Sequence, residues 1–210
     1  MDIYKYYNKP EELPRYYDKL NVVPRYLRQR IDAYAFDELN DTAMLNIAKN
    51  PKLAYQYALK KGERFPAGEP AIMKHSEYAC RYARYVLRHR WPEAEAIIAQ
   101  DPTDAIDYAN QVIKGRFPAA EPLLATHANY AYTYARNLGI RFEKGEPRML
   151  DRLHPNMMLS YIYNCVKGRL PGFEERSKYP ERFYGYRHDY IDMLNNINKQ
   201  LARDFERDYK

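Results

Sequence analysis

Arg90-Trp91-Pro92-Glu93-Ala94-Glu95 returns with variations every 25 to 28 residues along the chain. Arg64-Phe65-Pro66-Ala67-Gly68-Glu69 precedes it; Arg116-Phe117-Pro118-Ala119-Ala120-Glu121, Arg141-Phe142-Glu143-Lys144-Gly145-Glu146 and Arg169-Leu170-Pro171-Gly172-Phe173-Glu174 follow. Each copy keeps Arg, then a large apolar residue, then Glu four residues later. Repetition at such a period means a stack of small structural units before it means anything else.

Upstream of each copy lies a helical pattern, Ala-x-x-Tyr-Ala. Its members are Ala54, Tyr57 and Ala58; Ala79, Tyr82, Ala83 and Val86; Ala105, Tyr108, Ala109 and Val112; Ala131, Tyr134, Ala135 and Leu138; and a divergent Met158, Tyr161, Ile162 and Cys165. Offsets of three, four and seven put these side chains on one stripe of a helix. Alanines let a neighbouring helix approach closely, and Tyr fills the space between. The spacing predicts first helices of about 11 residues closing at Gly62, His89, Gly115, Gly139 and Gly168, since glycine suits the left-handed residue that ends a helix. Pro66, Pro92, Pro118 and Pro171 then suit the first turn of a second helix of about 8 to 10 residues, as from Glu93 to Gln100. One such unit cannot bury its own apolar stripe, whereas stacked copies can, so the expected fold is all-α: an α-solenoid of about five helix-turn-helix repeats.

The expected organisation is a Tyr- and Pro-rich arm and cap helix over residues 1–42, the repeat array over 43–174, and a connecting loop with a long C-terminal capping helix over 175–210, together one structural domain. Pro10, Pro14 and Pro24 break up the arm, and Tyr190, Ile191, Leu194, Ile197, Leu201 and Phe205 set the period of the final helix.

The units Tyr82–Glu95 and Tyr108–Pro122 resemble a tandem motif, roughly YAxxVIKGRWPEAEP, found in uncharacterised proteins of tailed bacteriophages. The resemblance covers about residues 43–174. It implies the helical-repeat architecture and a phage origin, and the family carries no assigned activity.

Composition narrows the function classes. The chain has 210 residues, 23 of them Tyr, with a net charge of +6 that resides mostly in the repeats. Mean hydropathy is −0.79, so much of the apolar surface carries a hydroxyl that needs water or an acceptor. There is no apolar run long enough to cross a bilayer and no signal-peptide core, which predicts a cytoplasmic protein with no membrane partner. Cys80 and Cys165 are too few for a disulfide framework and read as buried thiols. The sequence contains no metal-ligand spacing among its five His, no phosphate loop and no nucleophile elbow, so no catalytic, cofactor or metal residue is nominated.

Two sets of residues remain. Arg64/Glu69, Arg90/Glu95, Arg116/Glu121, Arg141/Glu146 and Arg169/Glu174 could be acid–base pairs, but catalysis needs one differentiated site and not five equivalent ones. They read as a structural ladder in which Arg bonds either helix-end carbonyls or a Glu of its own or the next unit. The second set is a partial basic row: Arg81, Arg84 and Arg88 with Tyr85 beside them, then Lys114, Arg136 and Lys167 at matching positions, interrupted by Asp107, Thr133 and Gly139. The leading expectation is a non-catalytic protein-binding module, in the context of a phage-encoded factor acting on host machinery. The alternative is an RNA- or DNA-binding solenoid using the basic row, and an enzyme with its site in the non-repeat ends is remote. Specificity is expected where the copies differ.

Overall fold

A computed structural model of the chain describes residues 41–178 and 184–208, and every regular element among them is helical. The predicted N-terminal arm and the helix after Pro24 lie outside the described residues, as does Tyr179. Contacts group the chain into two compact units, Met1–Ile97 and Ile98–Lys210.

Helix α1 (Asp41–Lys49) buries Ile47 and Ala48 and leaves Leu45 exposed. First helices then alternate with second helices. In the N-terminal unit α2 (Pro51–Lys61) is followed by α3 (Glu69–Ile72), and α4 (Ser76–Tyr82) by α5 (Pro92–Ile98), at whose end the unit closes. In the C-terminal unit the order is α6 (Pro102–Tyr108), α7 (Glu121–Ala125), α8 (Ala128–Leu138), α9 (Glu146–Arg152), α10 (Pro155–Tyr161) and α11 (Pro171–Ser177). Two further helices, α12 (Arg187–Ile197) and α13 (Lys199–Asp208), end the chain. Asn50 and Asp101 cap their helices through their side chains, Asp101 accepting from the backbone N–H of both Thr103 and Asp104. The equivalent caps His75 and His127 make no side-chain cap bond.

The predicted stripe is the core. Ala54, Ala79, Ala105 and Ala131 are fully buried, and so are Tyr82, Tyr108, Tyr134 and Tyr161. Four expectations about the elements are corrected.

The left-handed residue that closes each first helix is Gly62 (φ 70°), Arg88 (60°), Lys114 (56°), Gly139 (64°) and Lys167 (53°). Hence His89, Gly115 and Gly168 come one place after it. The cause is a one-residue difference in repeat length. Ten residues separate Ala54 from Arg64 and Ala131 from Arg141; eleven separate Ala79 from Arg90, Ala105 from Arg116 and Met158 from Arg169. In the three longer copies the extra residue is absorbed as a π turn, over Ala83–Leu87, Ala109–Ile113 and Ile162–Val166.

The second helices are also shorter than predicted. Pro92 and Pro171 do open helices, but Pro66 and Pro118 sit in turns, and α3 and α7 begin at Glu69 and Glu121 with Pro70 and Pro122 behind them. Finally, the long C-terminal helix is two helices broken at Asn198, whose backbone is extended (φ −164°, ψ 119°). Its side chain accepts from the N–H of Gln200 at 2.8 Å, which restarts the chain as α13.

Candidate functional site

Each Arg and Glu of the ladder belongs to the same unit, which settles the alternatives left open above. The Arg64 Nε and Nη2 donate to the two carboxylate oxygens of Glu69 at 2.6 and 3.0 Å. Arg90–Glu95 (2.9 and 2.9 Å), Arg141–Glu146 (2.7 and 3.1 Å) and Arg169–Glu174 (2.8 and 2.8 Å) have the same forked geometry, and Arg116 Nε reaches Glu121 at 2.7 Å. A planar guanidinium matches a carboxylate in this way where Lys could not.

The stripe tyrosine of the following first helix completes the arrangement. The Tyr82 hydroxyl accepts from the Phe65 N–H at 2.8 Å and donates to Glu69 at 3.0 Å. Tyr134 does the same for Phe117 (2.7 Å) and Glu121 (3.4 Å), and Tyr161 for Phe142 and Glu146 (both 2.9 Å). Tyr190 on α12 repeats it with Leu170 (3.0 Å) and Glu174 (2.8 Å), so the first helix after the repeat array bonds to the last turn as a repeat helix would. Each ring meanwhile packs on the turn after its own helix: Tyr57 on Phe65, Tyr82 on Trp91, Tyr108 on Phe117 and Tyr134 on Phe142, with centroids 4.7 to 5.3 Å apart. Tyr82 and Tyr134 therefore hold two successive turns, one by the hydroxyl and one by the ring. Arg169 also donates to Asp208 on α13 at 2.7 Å.

The electrostatics follow. The Arg64 guanidinium bonded to Glu69 holds that carboxyl below its ordinary value against the cost of burial, with the Tyr82 hydroxyl helping. At Glu121 burial pushes upward most strongly, yet the bonds from Arg116 and Lys144 together prevail and lower it. Burial pushes the Tyr82 phenol up to about 12, and raises Tyr134, Tyr161 and Tyr190 as well. These groups are engaged with one another, so the ladder is a structural clasp.

The basic row divides by environment. Arg81 pairs with Glu77 at 2.9 Å on the same helix, and the Arg84 guanidinium lies 4.8 Å over the ring of Tyr85. Arg136 lies 5.9 Å from the Tyr132 ring. Arg88, Lys114 and Lys167 occupy the left-handed closing positions and make no ion pair among the described residues. Exposed apolar side chains missed by the sequence reading include Leu59 on α2 in the N-terminal unit, at 44% exposure like Tyr85, and Tyr163 in the π turn after α10 in the C-terminal unit, at 50%. Their register could have revealed them. Leu59, Arg84, Asn110, Arg136 and Tyr163 all stand five residues after the first stripe residue, and no two neighbouring copies agree there.

A cleft in the C-terminal unit is lined by Thr126, His127, Asn129, Tyr130, Arg148 and Arg152. Its arginines have structural partners: Arg148 Nε donates to the Thr126 carbonyl at 3.1 Å, and Arg152 pairs with Asp151 at 2.9 Å. Arg176 bonds the Leu150 carbonyl in the same manner, which makes this a tie between successive second helices. Among the described residues no group of His, Cys, Asp and Glu could hold a metal ion, and no helix is long and apolar enough to cross a membrane. Cys80 and Cys165 are buried free thiols. Comparison with family models, with curated proteins and with solved structures finds no match.

Proposed function

We propose that the chain is a non-catalytic helical-repeat module, an α-solenoid, that binds a protein partner through the variable position on its first helices. The observation that supports this is the contrast between two sets of positions. Arg and Glu pair within every copy, with Tyr82, Tyr134 and Tyr161 engaged in the clasp, while the position five residues after the first stripe residue carries Leu59, Arg84, Asn110, Arg136 and Tyr163 in turn. Solenoids hold their buried positions constant and vary the exposed ones, and the exposed residues here include the Tyr and Arg favoured at protein interfaces. By resemblance to the tailed-phage repeats, the context is a phage-encoded factor acting on a cytoplasmic host component. Photo-crosslinking groups installed at 59, 84, 110, 136 and 163 are expected to yield adducts with one discrete host protein, and controls at Glu93 and Pro122 none. Equal adducts from both sets, or adducts with nucleic acid alone, would refute the reading.

Nucleic-acid binding is a second reading, favoured by the cations Arg88, Lys114 and Lys167, which have no ion-pair partner among the described residues. It requires mobility shifts at low salt that disappear on charge reversal at Arg84 and Arg88.

A further inference from the structure

Three long runs contain no Asp or Glu, 42–62 in the N-terminal unit and 122–142 and 152–173 in the C-terminal unit; the two C-terminal runs are adjacent in the fold. They supply the whole of α8, and α10 with its π turn, which are neighbours in the C-terminal unit. Of the other described first helices, α4 carries Glu77 and α6 carries Asp104 and Asp107, whereas α2 is likewise without carboxylates and carries Lys52, Lys60 and Lys61.

The cations in these runs fall into two kinds. Arg141 and Arg169 are held in clasps, and Arg152 is paired with Asp151. Arg136 and Lys167 are exposed and have no carboxylate partner among the described residues. Arg136 lies on α8, which contacts the π turn Ile162–Val166 that Lys167 closes. A side-chain hydrogen bond joins the two helices there, from the Tyr132 hydroxyl on α8 to Ser160 Oγ on α10 at 3.3 Å. Within α10 and its π turn Asn164 Nδ2 donates to the Ser160 carbonyl at 2.7 Å, and within α8 Arg136 lies over the Tyr132 ring. Tyr163 takes on its helix the place that Arg136 takes on α8, with Lys167 one turn beyond.

A ledge of two free cations, an exposed ring and amides, with no carboxylate of its own, is complementary to anions. Its extent is limited. The helices on either side carry exposed carboxylates, Asp107 on α6 and Asp189 and Asp192 on α12. A continuous phosphate backbone would be repelled at both edges, whereas one or two carboxylates with an apolar neighbour for Tyr163 fit between them.

Resting on the reading of the chain as a protein-binding module, we infer that the ledge formed by Arg136, Tyr163 and Lys167 docks a short acidic segment of the partner, with Asp or Glu placed beside an apolar side chain. Held away from bulk water by the ring, the carboxylates make charge-assisted bonds to Arg136 and Lys167.

The test uses the full chain and three labelled probes in fluorescence anisotropy: a peptide of alternating Glu and Leu, its Gln counterpart, and a single-stranded oligothymidylate. At about 25 mM NaCl the Glu peptide is expected to bind at least about 10-fold more tightly than the Gln peptide, and to weaken by a similar factor at about 200 mM. Arg136→Glu with Lys167→Glu should reduce the Glu peptide to the Gln level. Arg136→Gln with Lys167→Gln provides the same comparison if the reversal disturbs the fold, which circular dichroism reports. Equal binding of the two peptides, unchanged binding by both double variants, or oligothymidylate binding in place of peptide binding would each overturn the inference. If instead the crosslinked partner binds through Leu59 and Tyr85 and ignores both double variants, the ledge is refuted while the wider reading stands.

Discussion

The hydroxyl of Tyr134 is a single atom with two duties, accepting from a buried N–H and donating to a buried carboxylate. Tyr134→Phe keeps the ring on Phe142 and removes only that oxygen, leaving the Phe117 N–H without its acceptor. An unsatisfied buried donor costs about 1–3 kcal/mol, and urea denaturation is expected to show a loss of that size. Tyr163→Phe, on an exposed ring, should change stability by less than about 0.5 kcal/mol. At this scale the sequence was partly legible. Buried Tyr at a fixed helical offset was plain, and so was the recurrence of Arg and Glu. That the three belong to one cluster was not, because the Tyr lies 13 to 16 residues beyond its Glu and nothing local connects them.

The π turn shows how an element accommodates a change in length. Copies in which Arg stands eleven places after the first stripe residue have a π turn, and two of them have Ala (Ala94, Ala120) just before the clasp Glu. Copies in which it stands ten places after have Gly there, Gly68 and Gly145. A Cβ on Gly68 would lie 2.6 Å from the Ala54 Cβ, and one on Gly145 2.7 Å from the Ala131 Cβ. The shorter copy thus brings turn and helix too close for a methyl group. Gly145→Ala is expected to destabilise by about 1–3 kcal/mol through overpacking, measured by thermal denaturation against Ala120→Gly, which opens space. The left-handed Lys residues predict the opposite sign. Lys114→Gly and Lys167→Gly relieve an unfavourable backbone conformation and should raise stability by about 0.5–1 kcal/mol, less what unfolded-state entropy and the helix dipole return. Glycine-ended helices were the natural sequence expectation because Gly115 and Gly168 lie one residue away; the extra residue showed only as a count between Ala and Arg.

For the molecule as a whole, the clasps define a pH range. Glu69 and Glu121 bind protons less tightly folded than unfolded, so their contribution is present above about pH 4.5 and falls as pH drops through their lower folded-state values. Tyr82 holds its proton more tightly folded, so its contribution is complete below pH 10 and is lost as pH rises toward about 12. Melting temperature against pH should therefore form a plateau with an acid and an alkaline shoulder. Absorbance at the tyrosinate band should show exposed tyrosines ionising first and clasp tyrosines only as the protein unfolds. The all-α class was legible from the period alone, because five copies of one pattern outvote any local ambiguity. The candidate ledge was legible only in part: Arg136 and Lys167 were visible as charges, but which cations remain unpaired depends on the fold.

The clasp also moves the natural seam of the chain. A reader dividing the sequence would cut between a second helix and the next first helix, where each motif seems complete. Yet the turns at Phe65, Phe117, Phe142 and Leu170 have their N–H and carboxylate satisfied by a tyrosine on the far side of that cut. A fragment ending at residue 178 keeps Arg169 and Glu174 and loses Tyr190, leaving the Leu170 N–H open. Fragments trimmed at the apparent boundaries should therefore fray by a turn, and those that carry one more helix should not. The stable module is the turn together with the helix that follows it, half a period out of phase with the motif as written.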